Sequence, residues 1–506
     1  MSTGMHTPPV IVTTDGLTVE DVIQVATARA EVRLDPAVEA RVAAARAVVE
    51  TAIAGEALIY GLNTGLGHMR DQRVSREQLM RYQTRIVASH ASGIGAPLSD
   101  EDVRALMLAR VAGIARGGSG AHPDALRMLV ALLNAGIHPL VPAVGSVGAA
   151  DLMHMAAVAM VMIGRGEARV GDETLPGAVA LARAGMTPYV LQPKDGLSLL
   201  SANGAAIGLG ALTVRRLERV AALADLAGAL TLEAAGGNPS PFEAEVAAAK
   251  PIGGQIAAAT HLRQLLDGSD RYDPDTPRSV QDALSLRVMP QVHGALREQI
   301  AAARQSVELE LNAIDDNPLV SIAQQRMISN GNFQPMLLAL HFEATRVGLA
   351  HVAMLSERRM HKIVWLRYGS ADTALQTRLA DPIHEPVTGL LAYSAAAILS
   401  ELKSLAAPVT LGCPPLDLDM EDHATLAPLA VTTTRRALEH LETILTIEAL
   451  LAIEALRARP TLPRLGAGTG AAYRAVTAAL AATDPTASAA AIVEAIRQTL
   501  RGLPPG

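Results

Sequence analysis

At 506 residues the chain is long enough for two or three domains, although one architecture of long helices would also absorb it. Hydrophobic residues make up 50% and aromatics only 2%, which favours closely packed helices over a sandwich or barrel rich in aromatic and β-branched side chains. A formal charge of −7 gives no electrostatic reason to expect nucleic acid or an anionic membrane as partner.

In chain order, Met1 to Pro9 has neither the basic region nor the apolar core of a signal peptide, so a soluble, cytoplasmic protein is expected. Thr18 with Asp21 three residues on predicts a capped helix, and a second helix follows over 35–54. Ile59 to Gly67 carries three glycines without the strand–loop–helix context of a phosphate site, so it reads as a tight loop presenting Tyr60 or Asn63. Helices are expected over 75–89 and 100–116, then a glycine turn at 117–120. Val144-Gly-Ser-Val-Gly-Ala-Ala-Asp151 follows two prolines and opens an apolar helix; small residues there let backbone approach backbone or a ligand.

Residues 165–189 read as an irregular excursion with small strands. From Lys194 onward the pattern is helical, with helices near 205–235, 293–311, 336–365, 387–407 and 421–457. The last, at about 37 residues and 1.5 Å each, would run roughly 55 Å. Asp225 interrupts the most apolar run, so no membrane span is expected. The pairs Arg358-Arg359 and Arg435-Arg436 read as solvated helix faces. The single cysteine, Cys413, excludes an intrachain disulfide and a cysteine-built zinc site, and reads as a buried structural thiol. An all-α long-helix bundle with a small mixed N-terminal region is expected, divided into 1–200 and 201–506.

Five polar clusters invite a functional reading: Tyr60 with Asn63; His90 at a helix end; Gln281 to Arg287 with Gln291 and His293; Asn312 to Pro318 with Ser329 to Phe333; and Asp417 to His423. Each also has a structural reading, as helix stop, cap or dipole complement. Glu421-Asp-His423 lacks the spacing that places two metal ligands on one helix face, so no metal is expected. No Gly-x-Ser-x-Gly elbow supports hydrolase chemistry.

Their order decides between these readings. Tyr-Gly-Leu-Asn-Thr-Gly-Leu-Gly (60–67), Ser-His-Ala-Ser-Gly-Ile-Gly (89–95), Gly-Ser-Val-Gly-Ala (145–149), Val-Gln-Asp-x-x-Ser-Leu-Arg (280–287), Asp-Asn-Pro-Leu-Val (316–320), Gly-Asn-Phe (331–333), Ser-Glu-x-Lys (400–403) and Glu-Asp-His (421–423) span nearly the whole chain. The series resembles the aromatic amino acid lyases, the family of histidine, phenylalanine and tyrosine ammonia-lyases. The resemblance implies an α-helical fold of the histidine ammonia-lyase/fumarase type and a homotetramer with active sites shared between subunits.

It also implies roles. Tyr60 matches the catalytic tyrosine and Arg287 the arginine that holds the substrate carboxylate. Asn203, Gln281, Asn332 and Phe333 match other active-site positions, and His90 and Glu421 match side chains that hold an imidazole ring. A guanidinium fork suits a carboxylate, and a carboxylate can accept an imidazole N–H.

Three departures matter. Relatives build an electrophilic methylidene-imidazolone from Ala-Ser-Gly; here Gly148-Ala149-Ala150-Asp151 offers no serine to dehydrate and no glycine to cyclise, and Val147 after Ser146 would hinder ring closure. No such cofactor is therefore expected. The segment after Asp151 is shorter than usual, and Leu284 stands where a second tyrosine is common while 196–203 is longer by two residues.

A primary amine needs that electrophile to become a leaving group, whereas a quaternary ammonium leaves unaided. The departures therefore resemble ergothionase-like members, which eliminate trimethylamine, and imply ergothioneine or histidine betaine as substrate. In that scheme Tyr60 takes the β-proton; Lys403 or an arginine lowers its pKa, or Lys403 polarises ring or carboxylate, or is a plain surface lysine. Asp151 either faces the trimethylammonium or caps a helix. The alternatives are an ammonia-lyase acting on a primary amino acid such as histidine, and an inactive structural homologue.

Overall fold

The computed structural model describes residues 7–276, 280–369, 390–484 and 486–504, and over 365–369 the backbone only. Helices dominate, and the all-α, long-helix expectation holds. Thr18 caps Val19–Thr27: its hydroxyl accepts from Asp21 N–H at 3.2 Å while Asp21 accepts from Thr18 N–H at 2.8 Å. Asp35 caps Pro36–Ala54 by accepting from Ala37 N–H at 2.8 Å.

Four long helices follow: Gly204–Ala235, Met289–Leu311, Met336–Gly369 and Ala427–Arg457. The last has 31 residues, shorter than expected because 416–426 is loop. Asp417, Leu418, Asp419 and Leu426 all have positive φ, which a right-handed helix excludes. The acids of 417–423 therefore do not sit on a helix N-terminus. The stretch Asp195–Ala235 does reach the length and apolar character of a membrane span, contrary to expectation, but its apolar window lies wholly inside the protein.

Small sheets accompany the helices. Val10–Val12 pairs in parallel with Val32–Leu34, and Ile94–Pro97 pairs antiparallel with Pro142–Val144. Ile137–Pro139, Glu167–Val170 and Glu173–Pro176 form a three-stranded sheet, which gives the 165–189 excursion its structure. The hairpin Leu319–Ser321/Arg326–Ile328 lies beyond the N-terminal region to which strands were expected to be confined. Cys413 is free and half-buried, not buried.

The chain gathers into two units, one of 1–215, 303–341 and 409–432, the other of 216–302, 342–408 and 433–506. The boundary expected at 200/201 falls inside the first. That unit carries every sheet among the described residues, together with Tyr60, His90, Asp151, Asn203, Phe333 and Glu421. The second unit, built of helices and loops with no strand among its described residues, carries Gln281, Arg287 and Lys403.

Candidate active site

In the first unit, Leu62 anchors the Tyr60 turn. It is buried in a cluster with Ala45, Val48 and Val49 of the preceding helix and Val320 of the hairpin. Gly61 has φ +70, and a β-carbon there would overlap Leu197, so the turn needs glycine. Asn63 faces its own loop: Oδ1 accepts from Ile59 N–H and Nδ2 donates to Ala57 O, both at 2.8 Å. Tyr60 is thus the side chain the loop presents, and its Oη accepts from Gly67 N–H at 3.3 Å.

A second loop closes onto this turn. Leu416 and Glu421 pair backbone to backbone at 2.9 and 3.1 Å. Between them, Asp417 accepts from His68 N–H at 3.0 Å and also meets His68 Nδ1. Glu421 is half-buried; burial raises its carboxyl above the ordinary value, Asp417 raises it further, and His90 opposes. His90 ends helix Leu79–His90, with Nδ1 at 2.8 Å from Ile86 O. That carbonyl can only accept, so Nδ1 is the donor of this bond.

Burial pushes the Tyr60 phenol up, the Gly67 N–H opposes, and Glu421 and Asp417 add to the rise. The sequence suggested a cation that lowers it; the surroundings in this unit do the reverse, because the phenol is largely buried and the nearby charges are carboxylates. Tyr82 was overlooked. It shares a helix face with Ile86 and His90, four residues apart each time, and burial and Tyr60 raise its phenol against a hydrogen bond from the Leu66 backbone.

The loop 145–151 lies beside these elements. The strand pair Ile94–Pro97/Pro142–Val144 leads from His90 on one side into Gly145 on the other. Ala150 N–H donates to Phe333 O at 3.1 Å, Asp151 N–H to Ala202 O at 2.7 Å, and Leu426 N–H to Val147 O at 2.8 Å. Thr425 Oγ1 donates to Gly148 O at 2.7 Å. These bonds bring Asp151, Phe333, Asn203 and the loop after Glu421 together.

Asp151 is fully buried, with Ser146 Oγ at 2.6 Å on Oδ1 and Ala206 N–H at 2.8 Å on Oδ2. Burial raises its carboxyl against these donors and His154. It makes no side-chain cap to the helix it precedes, Leu152–Met162, but caps the first turn of Gly204–Ala235. With both oxygens engaged, it is not presented to a trimethylammonium, which corrects that expectation.

These residues do not fit a methylidene-imidazolone. Ala149 and Ala150 have no hydroxyl to lose, and the Asp151 nitrogen that would have to attack already donates to Ala202. Asn203 is fully buried; its N–H donates to Asp315 Oδ2 at 2.7 Å, while Oδ1 and Nδ2 have no partner among the described residues. Behind it, Arg110 reaches Asp315 at 3.3 Å and Asp316 at 2.8 Å. Asp315 is pushed up to about 6 by burial and by Asp316, against Arg110. Asn332 is exposed, with N–H on Asn330 Oδ1 at 2.8 Å and Nδ2 on Ile314 O at 3.3 Å; Phe333 is half-buried.

In the second unit, Arg287 ends the short helix Leu284–Arg287. With its amide oxygen toward the guanidinium, Gln281 accepts from Nη1 and Nη2, both at 2.9 Å. Arg359 backs this turn: Nη1 donates to Ser285 O at 3.3 Å, while Nε and Nη2 pair with Glu448 at 2.5 and 2.9 Å. Thr231 Oγ1 completes the set on Glu448 at 2.8 Å. Arg359 is therefore fully buried, not on the solvated face its sequence suggested. Lys403 is exposed near the end of Leu391–Leu405. Among the described residues no cluster of three or more His, Cys, Asp or Glu could hold a metal.

The pattern of the aromatic amino acid lyase family matches residues 17–478. Histidine ammonia-lyase of Anaeromyxobacter sp. (strain K) is 42% identical over 459 residues, 88% of this chain and 89% of that protein. Histidine ammonia-lyase of Stigmatella aurantiaca is 39% identical over 93% of this chain and 92% of its own length. Among solved structures, ergothionase from Treponema denticola in complex with desmethyl-ergothioneine sulfonic acid has a TM-score of 0.90 at 29% identity, covering 97% of this chain and 98% of that one.

Proposed function

The chain belongs to the aromatic amino acid lyase family, whose members are carbon–nitrogen lyases, and from that premise we propose that it eliminates trimethylamine from a histidine-derived betaine. Ergothioneine would give thiourocanate and histidine betaine would give urocanate. One observation carries the reading. At the place where relatives build their electrophile, residues 148–151 hold no hydroxyl to eliminate, and the Asp151 nitrogen is tied to Ala202.

The reaction balances without an electrophile. Arg287, steadied by Gln281, binds the carboxylate. Glu421 accepts a ring N–H, and His90 helps to orient the ring. Tyr60 as phenolate removes the β-proton; those electrons form the Cα–Cβ double bond, and the Cα–N pair departs with neutral trimethylamine. Burial, with the neighbouring carboxylates, raises the Tyr60 phenol in the substrate-free protein, and the incoming quaternary ammonium supplies the positive charge that lowers it. Lys403, reaching the site through assembly into a homotetramer, has the role of polarising ring or carboxylate.

A second reading, histidine ammonia-lyase, is favoured by the names of the sequence relatives. Incubation with ergothioneine, histidine betaine and histidine in parallel separates the two. We expect a conjugated acrylate from one or both betaines and none from histidine. Product from histidine alone would replace our reading with the second.

A further inference from the structure

Asp417 lies outside the motifs that carry the family resemblance, yet it joins the two loops bearing Tyr60 and Glu421. Its carboxylate sits on the backbone of the turn Gly67–Met69, so closely that a β-carbon at Gly67, which has φ +55, would overlap it. In that turn Gly67 N–H holds the Tyr60 oxygen and His68 N–H holds Asp417. The His68 ring meets the same carboxylate through Nδ1. On the other side, Asp417 begins three successive non-glycine residues of positive φ, at 48°, 54° and 63°, before the chain returns to Glu421. Such backbone is costly and persists where the surroundings fix it; here the His68 clasp and the Leu416–Glu421 backbone pair bracket it.

We propose that Asp417 is a positioning residue: clasped by His68, it locks the Tyr60 turn to the Glu421 loop and sets the negative field that both groups feel. The proposal rests on the reading of Tyr60 as base and Glu421 as ring acceptor. Facing Tyr60 are Glu421, Asp417 and Tyr82; facing Glu421 are Asp417 and His90. Removing the Asp417 charge should lower the pH at which both Tyr60 and Glu421 ionise, since a like charge disfavours each anion. Removing its oxygens should loosen the turn. The two effects are separable, because the amide oxygen introduced by Asp417→Asn would still accept from His68 N–H.

The test uses Asp417→Asn and Asp417→Ala, with Tyr60→Phe as reference. Phenolate absorbance of each Asp417 variant, minus the same variant carrying Tyr60→Phe, isolates one phenol among 7 tyrosines and needs no substrate. Tyr60 should titrate roughly half a pH unit or more lower in Asp417→Asn than in the unaltered protein. On whichever substrate the unaltered protein turns over, Asp417→Ala should lose roughly 10–100-fold in kcat with little change in KM, and Asp417→Asn should recover most of it. An unmoved Tyr60 titration in Asp417→Asn, or unchanged kcat in Asp417→Ala, overturns the proposal. If neither betaines nor histidine react, the functional reading fails while the titration still decides this one.

Discussion

Among single residues, the proposed proton abstraction falls to Tyr60 and the proposed ring recognition to Glu421. Tyr60→Phe keeps the ring and its packing but removes the acid–base group, so kcat should fall by roughly 10²–10⁴-fold with the melting temperature unchanged. Steady-state kinetics beside a thermal melt checks this; full activity would dismiss Tyr60 as the base. Glu421 must be ionised to accept a ring N–H, and burial with Asp417 raises its carboxyl. The acid limb of kcat/KM should therefore lie above the ~4.3 of a solvated glutamate. Glu421→Gln should remove that limb and lower kcat/KM roughly 10–100-fold. The nearness of Tyr60, His90 and Glu421 was legible because each sits in a compact motif. The His68–Asp417 contact was not, because its partners are 349 residues apart. Arg359 was misread for the same reason: its partner Glu448 is 89 positions away.

Among the elements, helices were read well wherever capping and apolar periodicity agreed, as at Thr18 and Asp35. The start of Ala427–Arg457 was misplaced because left-handed backbone at 417–419 leaves no signature in residue type; Asp and Leu occur freely in helices. The second unit holds a buried node that no single-sequence pattern exposes. Asp225, on Gly204–Ala235, is fully buried and meets His293 at 2.7 Å, His261 at 2.8 Å and Arg297 at 2.6 Å. Burial would raise its carboxyl, but the two histidine hydrogen bonds and the Arg297 charge prevail and bring it down to about 2. A carboxylate depressed in the folded state stabilises above its unfolded pKa of ~3.9 and loses that contribution as pH falls through about 2. Asp225→Asn strands Arg297 and should cost on the order of 3–5 kcal/mol at neutral pH. A substantially lower melting temperature is expected, with a smaller further loss between pH 4 and pH 2 than in the unaltered protein; equal melting would discount the node.

For the whole molecule, the helical class followed from composition, while the division into units did not. Each unit is assembled from three separate stretches of chain, because packing follows proximity in space and not order along the chain. Exposed apolar side chains on helices, among them Tyr393 at 76% and Leu309 at 56%, fit the proposed homotetramer, since such surface is normally covered. Light scattering should give the mass of four chains; a monomer with full activity would contradict the shared-site account.

The central claim, elimination from a quaternary ammonium by a family member without the electrophile, has its most direct test in trimethylamine itself. Purified protein is given ergothioneine or histidine betaine, and released trimethylamine is quantified against the conjugated acrylate. The same sample is weighed as intact protein. Equal amounts of the two products are expected from at least one betaine, with a protein mass that matches the sequence. No trimethylamine from either betaine, or a mass short by two water molecules, would contradict it.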